Sequence, residues 1–488
     1  MKGKKLIVIM AIVILMFTIQ ASCALENDND FNLTQTNDVN TVNNQIVDDN
    51  VISNQVNDVK DELNDSADIT KNVSVSSKSS VLGASNENNV IGDSSYKNMS
   101  DLRTILQNAQ PGQNIFLNGS TYVGKFNPIL IKNNINIYGG HNTTDGIKAT
   151  LDLSEFQCSS QTSNTPRLQF KNICKITGVN FVNYNFTSDN IVPGAIIPER
   201  GNIITLRAPC SFYNCTFANN TIYQKSYVIE YSNNDNIGGS GATIENCVFY
   251  NNTASVIVCI QNEYPNFKAS NNFFENNKGT INLEENAKTN SLGLCFKTAS
   301  EGSIFDNNTF INNTNAVHGA AFCVKAENVI ISNSHIENNS ASYGGAIECH
   351  KGTMKVYNTT FIGNKAYGAN TNRQERAGGG GAIAFIGPNN YIYNCTFINN
   401  FAEKFGGAMD IHTDTEGNKI MVADYTTVVN CRFENNIAQN QSGGAIYIIG
   451  NYSNITNCKF TDNSAPIGGA IQIVGFNASI YDSKFVEN

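Results

Sequence analysis

One residue type sets the terms for this chain. Phenylalanine returns at Phe181, Phe217, Phe249, Phe274, Phe310, Phe361, Phe397, Phe433, Phe460 and Phe485, with Ile336 standing in once. The intervals are 36, 32, 25, 36, 26, 25, 36, 36, 27 and 25 residues. A floor of 25 with additions of about 11 describes one structural unit that carries inserted loops in some copies. The flanking chemistry repeats as well. An apolar residue sits five before the anchor (Phe212, Ile244, Val356, Ile392, Val428, Ile455, Ile480), and an asparagine three before it, from Asn214 to Asn457, with Asp482 in the last copy. Two before the anchor comes a small residue, often cysteine: Cys215, Cys247, Cys395, Cys431 and Cys458. Another asparagine follows three after it, from Asn220 and Asn252 to Asn463 and Asn488.

Glycine pairs complete the unit. Gly344–Gly345, Gly380–Gly381, Gly443–Gly444 and Gly468–Gly469 each end 16 residues before an anchor, and Gly406–Gly407 precedes a longer insertion. Behind each pair runs a short stretch of period two, such as Ile347/Cys349, Ile446/Ile448 and Ile471/Ile473. Such strands, separated by Asn or Gly turns with no room for helices between them, predict an all-β parallel β-helix of about 12 coils. Successive coils stack ~4.8 Å apart, so equivalent residues form ladders, with phenylalanine on phenylalanine inside and amide on amide at the turns. The composition agrees. Asparagine fills 78 of 488 positions while charged residues make up only 15%, a polarity that suits left-handed turns better than helix surfaces.

The rest of the chain divides as follows. Lys2, Lys4 and Lys5 before the apolar run Leu6–Ile19, then small residues at Ala21–Ala24, read as a signal peptide over residues 1–24, hence a secreted or cell-surface protein. Residues 25–95 hold 13 acids and 3 bases with no cysteine, no aromatic periodicity and few long apolar runs, the signature of a disordered Asn/Asp-rich spacer. Residues 96–145 supply an N-terminal cap and the first coils. There Ser100 is expected to cap a helix, Asp101–Ala109, whose Leu102, Ile105 and Leu106 share one face and close the end of the stack. Residues 146–488 are repeats, and their ending on a repeat motif suggests a chain truncated at the C-terminus. Of the formal charge of −9, only −2 falls on residues 96–488, which argues against a nucleic-acid partner.

The GGAI stretches paired with F-x-x-N (Phe397–Asn400, Phe433–Asn436, Phe460–Asn463) resemble the repeat of chlamydial polymorphic outer-membrane proteins. The layout of leader, Asn-rich spacer, "DLRTILQNAQPGQNIFLNG" and repeats is similar to adhesin-like surface proteins of methanogenic archaea. The resemblance covers roughly residues 96–488 and implies a right-handed β-helix at a cell surface with a role in adhesion. The chain departs from both families in showing no barrel, membrane helix or wall-binding domain after the repeats, so envelope association would run through a missing C-terminal region.

Candidate functional residues are sparse. The cysteines at the repeat position point inward and read as free core thiols, since parallel in-register side chains make poor disulfides. No spacing suggests a metal site or any cofactor. Outward positions after the glycine pairs carry Glu348, Ala384, Asp410, Tyr447 and Gln472, so the two acids are parted by a coil bearing alanine. Before the anchors, His335, Thr360 and Thr396 are followed by a basic stripe, Arg432, Lys459 and Lys484, on consecutive coils, suited to an anionic glycan or to a solvated face. His412 with Asp414 and Glu416 sits in an inserted loop open to a catalytic or calcium role but without a recognised ligand spacing, and the insertion with Arg373 and Arg376 reads as a recognition loop or plain surface. Tyr357, Tyr391 and Tyr393 project from neighbouring coils and form the expected contact patch for sugar. The expectation is a non-catalytic, adhesin-like surface protein that attaches to glycans or cells. The alternatives are a polysaccharide-degrading β-helix enzyme and a passive stalk.

Overall fold

The computed structural model describes residues 89–91 and 98–488, apart from positions 118, 141–147, 157–166, 187–200, 223–225, 233–238, 281–292, 315, 351–352, 369–376 and 417–418. The leader, most of the spacer, and Arg373 and Arg376 therefore lie outside the described residues. Asn89–Ile91, read from sequence as spacer, forms a strand parallel to Asn114–Leu117.

Each coil visits three long parallel sheets in turn. Sheet I has 12 strands and holds the segments after the glycine pairs, from Ile129–Ile131 to Ile471–Ile473. Sheet II has 14 strands and holds the segments five before the anchors; sheet III has 13 and holds the anchors themselves. Two short sheets of four and five strands lie beyond sheet III, where the chain turns back towards sheet I, and are called here sheet IV. Its later strands include Ala316–His318, Ser340–Tyr343 and Phe401–Ala402. Registers are those the anchors predict: Phe361 pairs with Phe397, Phe397 with Phe433, and Phe433 with Phe460.

The interior is one continuous apolar column. Anchor rings lie nearly parallel, with centroids 4.8 Å apart for Phe361–Phe397 and for Phe397–Phe433. That distance is the rung spacing, so the stack follows from register. The inward cysteines are buried and free, as the repeat position implies.

Asparagine does two jobs. Those three before the anchors, such as Asn214 and Asn394, adopt left-handed backbone (φ 50° and 53°), which turns the chain between sheets II and III within two residues. Those three after the anchors, from Asn220 to Asn463, are buried and form an amide ladder: Asn364 donates to Asn400, Asn400 to Asn436 and Asn436 to Asn463 at 2.9–3.1 Å. Glycine is demanded where rungs touch. A Cβ on Gly407 would lie 2.1 Å from the Gly444 carbonyl oxygen of the next coil.

The N-terminal helix α1 spans Met99–Asn108 and buries Met99, Leu102 and Leu106, with Ile105 packed at the margin. Its cap is Asn98, not Ser100: Asn98 has extended backbone, and its side chain accepts a 2.8 Å bond from the Ser100 N–H. Asn133 closes the other end by donating to the Ala109 carbonyl.

Candidate active site

Alternation puts one row of sheet I side chains outside the coil, and in register this row reads Lys297, Cys323, Glu348, Ala384, Asp410, Tyr447 and Gln472. Outward here does not mean exposed. Sheet IV laps over part of this face. Val317 and Tyr343 from sheet IV join Cys259, which precedes Lys297 in register, in a second small apolar cluster with Tyr227, Val256 and Ala377. Glu348 is accordingly 1% exposed and Asp410 2%, so the two outward-pointing acids lie beneath a covering layer.

Glu348 is held between two imidazoles. One carboxylate oxygen accepts from Nδ1 of His318, which ends the sheet IV strand of the preceding coil; the other lies 2.7 Å from Nε2 of His350, two residues along its own strand. The second contact is close but off the hydrogen-bonding axis, and His350 Nε2 is left without a hydrogen-bond partner. The His318 ring stacks on Tyr343 at 5.1 Å and meets His350 edge-on at 5.3 Å. Both imidazoles reach solvent at their margins, with side chains 12% and 10% exposed. Burial pushes His318 below the ordinary imidazole value, although Glu348 pulls it the other way. Burial alone would raise the Glu348 carboxyl; the two imidazoles outweigh it and hold the group well below the usual carboxylate range. Lys297 and Lys325, half-buried on the preceding rungs, bring positive charge to the same place, and burial raises the neighbouring Cys323 thiol to about 12.

Two coils further on the motif recurs. His412 Nδ1 lies 3.4 Å from Asp410 Oδ1, again without hydrogen-bond alignment, and both atoms are buried and unpartnered. Phe405 stacks on Tyr447 at 4.5 Å beside this pair. Burial, then Asp410, raises the Tyr447 phenol. Asp414–Glu416 pairs with Lys419–Met421 as a small hairpin that leaves this strand, so His412 keeps company with Asp410.

Sequence reasoning missed His318 and His350 altogether. The signal was present: "GGAIECH" (Gly344–His350) and "GGAMDIH" (Gly406–His412) share an acid followed two residues later by histidine. In a strand that spacing puts both side chains on one face. The other candidates are placed as follows. Tyr357 and Tyr391 lie on adjacent sheet II strands with ring centroids 5.9 Å apart, and Tyr393 stacks on Tyr391 at 6.3 Å. With Lys355 and Asn358 they line an open cleft of about 600 Å³. Burial, then the neighbouring phenols, raises Tyr391. Arg432, Lys459 and Lys484 do stack in register, on sheet III, but Arg432 is ion-paired with Glu434. The tyrosines and the basic stripe thus occupy different sheets, and neither joins the acid–histidine row. Among the described residues His318, Glu348 and His350 are the set whose donor atoms converge enough to hold a metal ion.

Comparison with known proteins bears on this geometry. Residues 204–376 match the family described as right handed beta helix region, and residues 430–449 match the Chlamydia polymorphic membrane protein repeat. No curated protein matches the chain in sequence. Among solved structures, the alginate lyase AlyF-OU02 is 13% identical with a TM-score of 0.50, covering 82% of this chain and 84% of that one. The PL6 family alginate lyase AlyGC is 14% identical with a TM-score of 0.53; the match covers 79% of this chain and half, 50%, of that one. The catalytic domain of a GH87 alpha-1,3-glucanase is 12% identical with a TM-score of 0.40, over 84% of this chain and 71% of that one.

The likeness is one of fold. It nevertheless overturns the expectation of a chain without catalytic activity. That expectation took the coils as purely structural, whereas the same architecture carries polysaccharide lyases. The chain is a right-handed parallel β-helix with one stretch similar to the polymorphic membrane protein repeat. No described helix is long and apolar enough to cross a membrane.

Proposed function

We propose that this protein is a surface-displayed β-helix enzyme that cleaves an acidic polysaccharide at the outer face of sheet I. One observation carries the reading: ionisable groups on that face have buried atoms left without partners, at His350 Nε2, Asp410 Oδ1 and His412 Nδ1. Burying an acid or imidazole without full hydrogen bonding costs stability, so packing gives no reason for them. Groups of this kind concentrate where chemistry is done.

In this reading His412, whose ring reaches solvent beside the Asp410 carboxylate, exchanges a proton with the polymer. The His318–Glu348–His350 cluster stands two rungs away, ~9.6 Å along the stack, and holds charge developing on the sugar. Lys297 and Lys325 beside it favour a substrate bearing carboxylates or sulfates. Tyr357, Tyr391 and Tyr393 with Lys355 give the polymer a second hold on sheet II, consistent with the glycan attachment expected of an adhesin-like surface protein. Arg432, Lys459 and Lys484 would add weak, salt-sensitive attraction to the same polymer.

The test is depolymerisation. The protein is incubated with a panel of acidic and neutral polysaccharides, and chain length and unsaturated-uronate absorbance are followed. Shortening of an acidic polymer, reduced about 100-fold or more in Asp410→Asn and His412→Gln, is the expected result. Polymers left intact by the wild-type protein across the panel would overturn the reading.

A further inference from the structure

The geometry points to a divalent transition-metal centre of the zinc class at His318, Glu348 and His350. Two imidazole nitrogens and a carboxylate oxygen lie within 4.8 Å of one another, drawn from two adjacent coils. Two histidines with one carboxylate form a three-ligand set that leaves a position open, the pattern of catalytic zinc sites. Imidazole donors disfavour calcium and magnesium, which take oxygen ligands.

The second, independent observation is His350. It is nine-tenths buried, and its Nε2 is aimed at the cluster, 2.7 Å from Glu348 Oε1, yet makes no hydrogen bond. A histidine placed there to orient Glu348 would align its N–H with the carboxylate. A nitrogen presented off that axis is placed to give its lone pair to something else. With the ring proton on Nδ1, Nε2 of His350 is free to ligate. His318 would ligate through Nδ1 by moving its ring proton to Nε2, a tautomer change with no net proton release. The surroundings fit a ligand shell. Tyr343 stacks on the His318 ring and fixes its plane, and the next rung presents only the methyl of Ala384.

The centre deepens the proposed enzyme by giving the cluster a Lewis acid to hold charge on the sugar, but its existence is tested apart from cleavage. The full chain is stripped with chelator and titrated with zinc by calorimetry, then with cobalt(II) while visible absorption is followed. One ion per chain is expected, with cobalt absorption of four- or five-coordinate strength. The dissociation constant should rise about 100-fold or more in His350→Ala and in Glu348→Gln. His335→Gln, at a half-buried histidine paired with Glu337 on sheet III, should bind as the wild type does. Glu348→Gln keeps the side-chain shape, and a wild-type thermal midpoint for it would separate lost ligation from lost fold. No zinc uptake by the wild-type chain, or uptake undiminished in His350→Ala, overturns the centre. Cleavage that persists without uptake would remove the metal and leave the enzyme reading standing. Uptake without cleavage would do the reverse.

Discussion

Two rows of buried polar side chains climb this coil stack, and they are built on opposite principles. On the inner corner after sheet III the asparagines from Asn220 to Asn463 are buried and fully engaged. Asn400, for example, donates to the Phe361 carbonyl and to Asn436, and accepts from the backbone and side-chain N–H groups of Asn364. On the outer face of sheet I the acids are nearly as buried and the histidines touch solvent only at their margins, yet Asp410 Oδ1, His412 Nδ1 and His350 Nε2 have no hydrogen-bond partner. Burial alone therefore does not separate scaffold from site. Satisfaction does: a saturated ladder stabilises the fold, while an under-bonded ionisable group costs stability and is kept for another reason.

Breaking the ladder should have the largest effect. Asn400→Ala removes two donated bonds and an acceptor that serves two N–H groups of Asn364, leaving the Phe361 carbonyl and the Asn364 and Asn436 amides without those partners. At 1–3 kcal/mol for each buried group left unmet, the loss should be on the order of 4 kcal/mol. Hydrogen exchange should show it as faster exchange confined to the coils on either side, because stability in a stacked array is largely nearest-neighbour. Protection unchanged in those coils would mean the ladder is decorative.

Closer rung contact gives the next effect. Gly407→Ala places a methyl 2.1 Å from one backbone oxygen and 2.5 Å from the Ile437 nitrogen. Neither is the end of a flexible side chain, so the rungs must part. Overpacking of this kind costs about 1–3 kcal/mol. A thermal midpoint unmoved by the substitution would show that the rungs can separate there freely.

The ladder was legible in the sequence and the site was not, for a physical reason. Anchors, turns and glycine pairs repeat, so each column can be read down the chain one position at a time. The acid–histidine row demands two further facts. Glu348 and His350 must be read together as a pair within one strand, which the repeat of "GGAIECH" in "GGAMDIH" allows. His318 is 30 residues before Glu348 and meets it only because sheet IV folds back over sheet I. That return path is set by tertiary packing, and period-two alternation says nothing of what lies above an outward side chain. The same blind spot hid that the two outward-pointing acids are buried.

Asp410→Asn sharpens the comparison from the other side. Removing a buried charge that lacks alignment with its partner should leave stability unchanged or raise it by about 1 kcal/mol. Cleavage of the polymer should fall about 100-fold. A loss of stability comparable to that of Asn400→Ala would place Asp410 with the scaffold after all.

The smallest structural effect should come from the tyrosine cleft, and this makes it the cleanest functional probe. Tyr393 is 37% exposed, and its ring touches Tyr391 rather than the core. Tyr393→Ser should therefore move stability by less than about 0.5 kcal/mol, as surface substitutions do. A sugar ring laid on that phenol would lose an apolar platform, so retention of the protein on an immobilised acidic polysaccharide should weaken while its thermal midpoint stays put. Tyr391→Ser should weaken retention further, since Tyr391 contacts both other rings of the cleft. The acid–histidine variants should be retained as the wild type is, because the cleft lies on a different sheet. If Tyr393→Ser and Tyr391→Ser are retained as well as wild type, the cleft is ordinary surface and the polymer is gripped at sheet I alone.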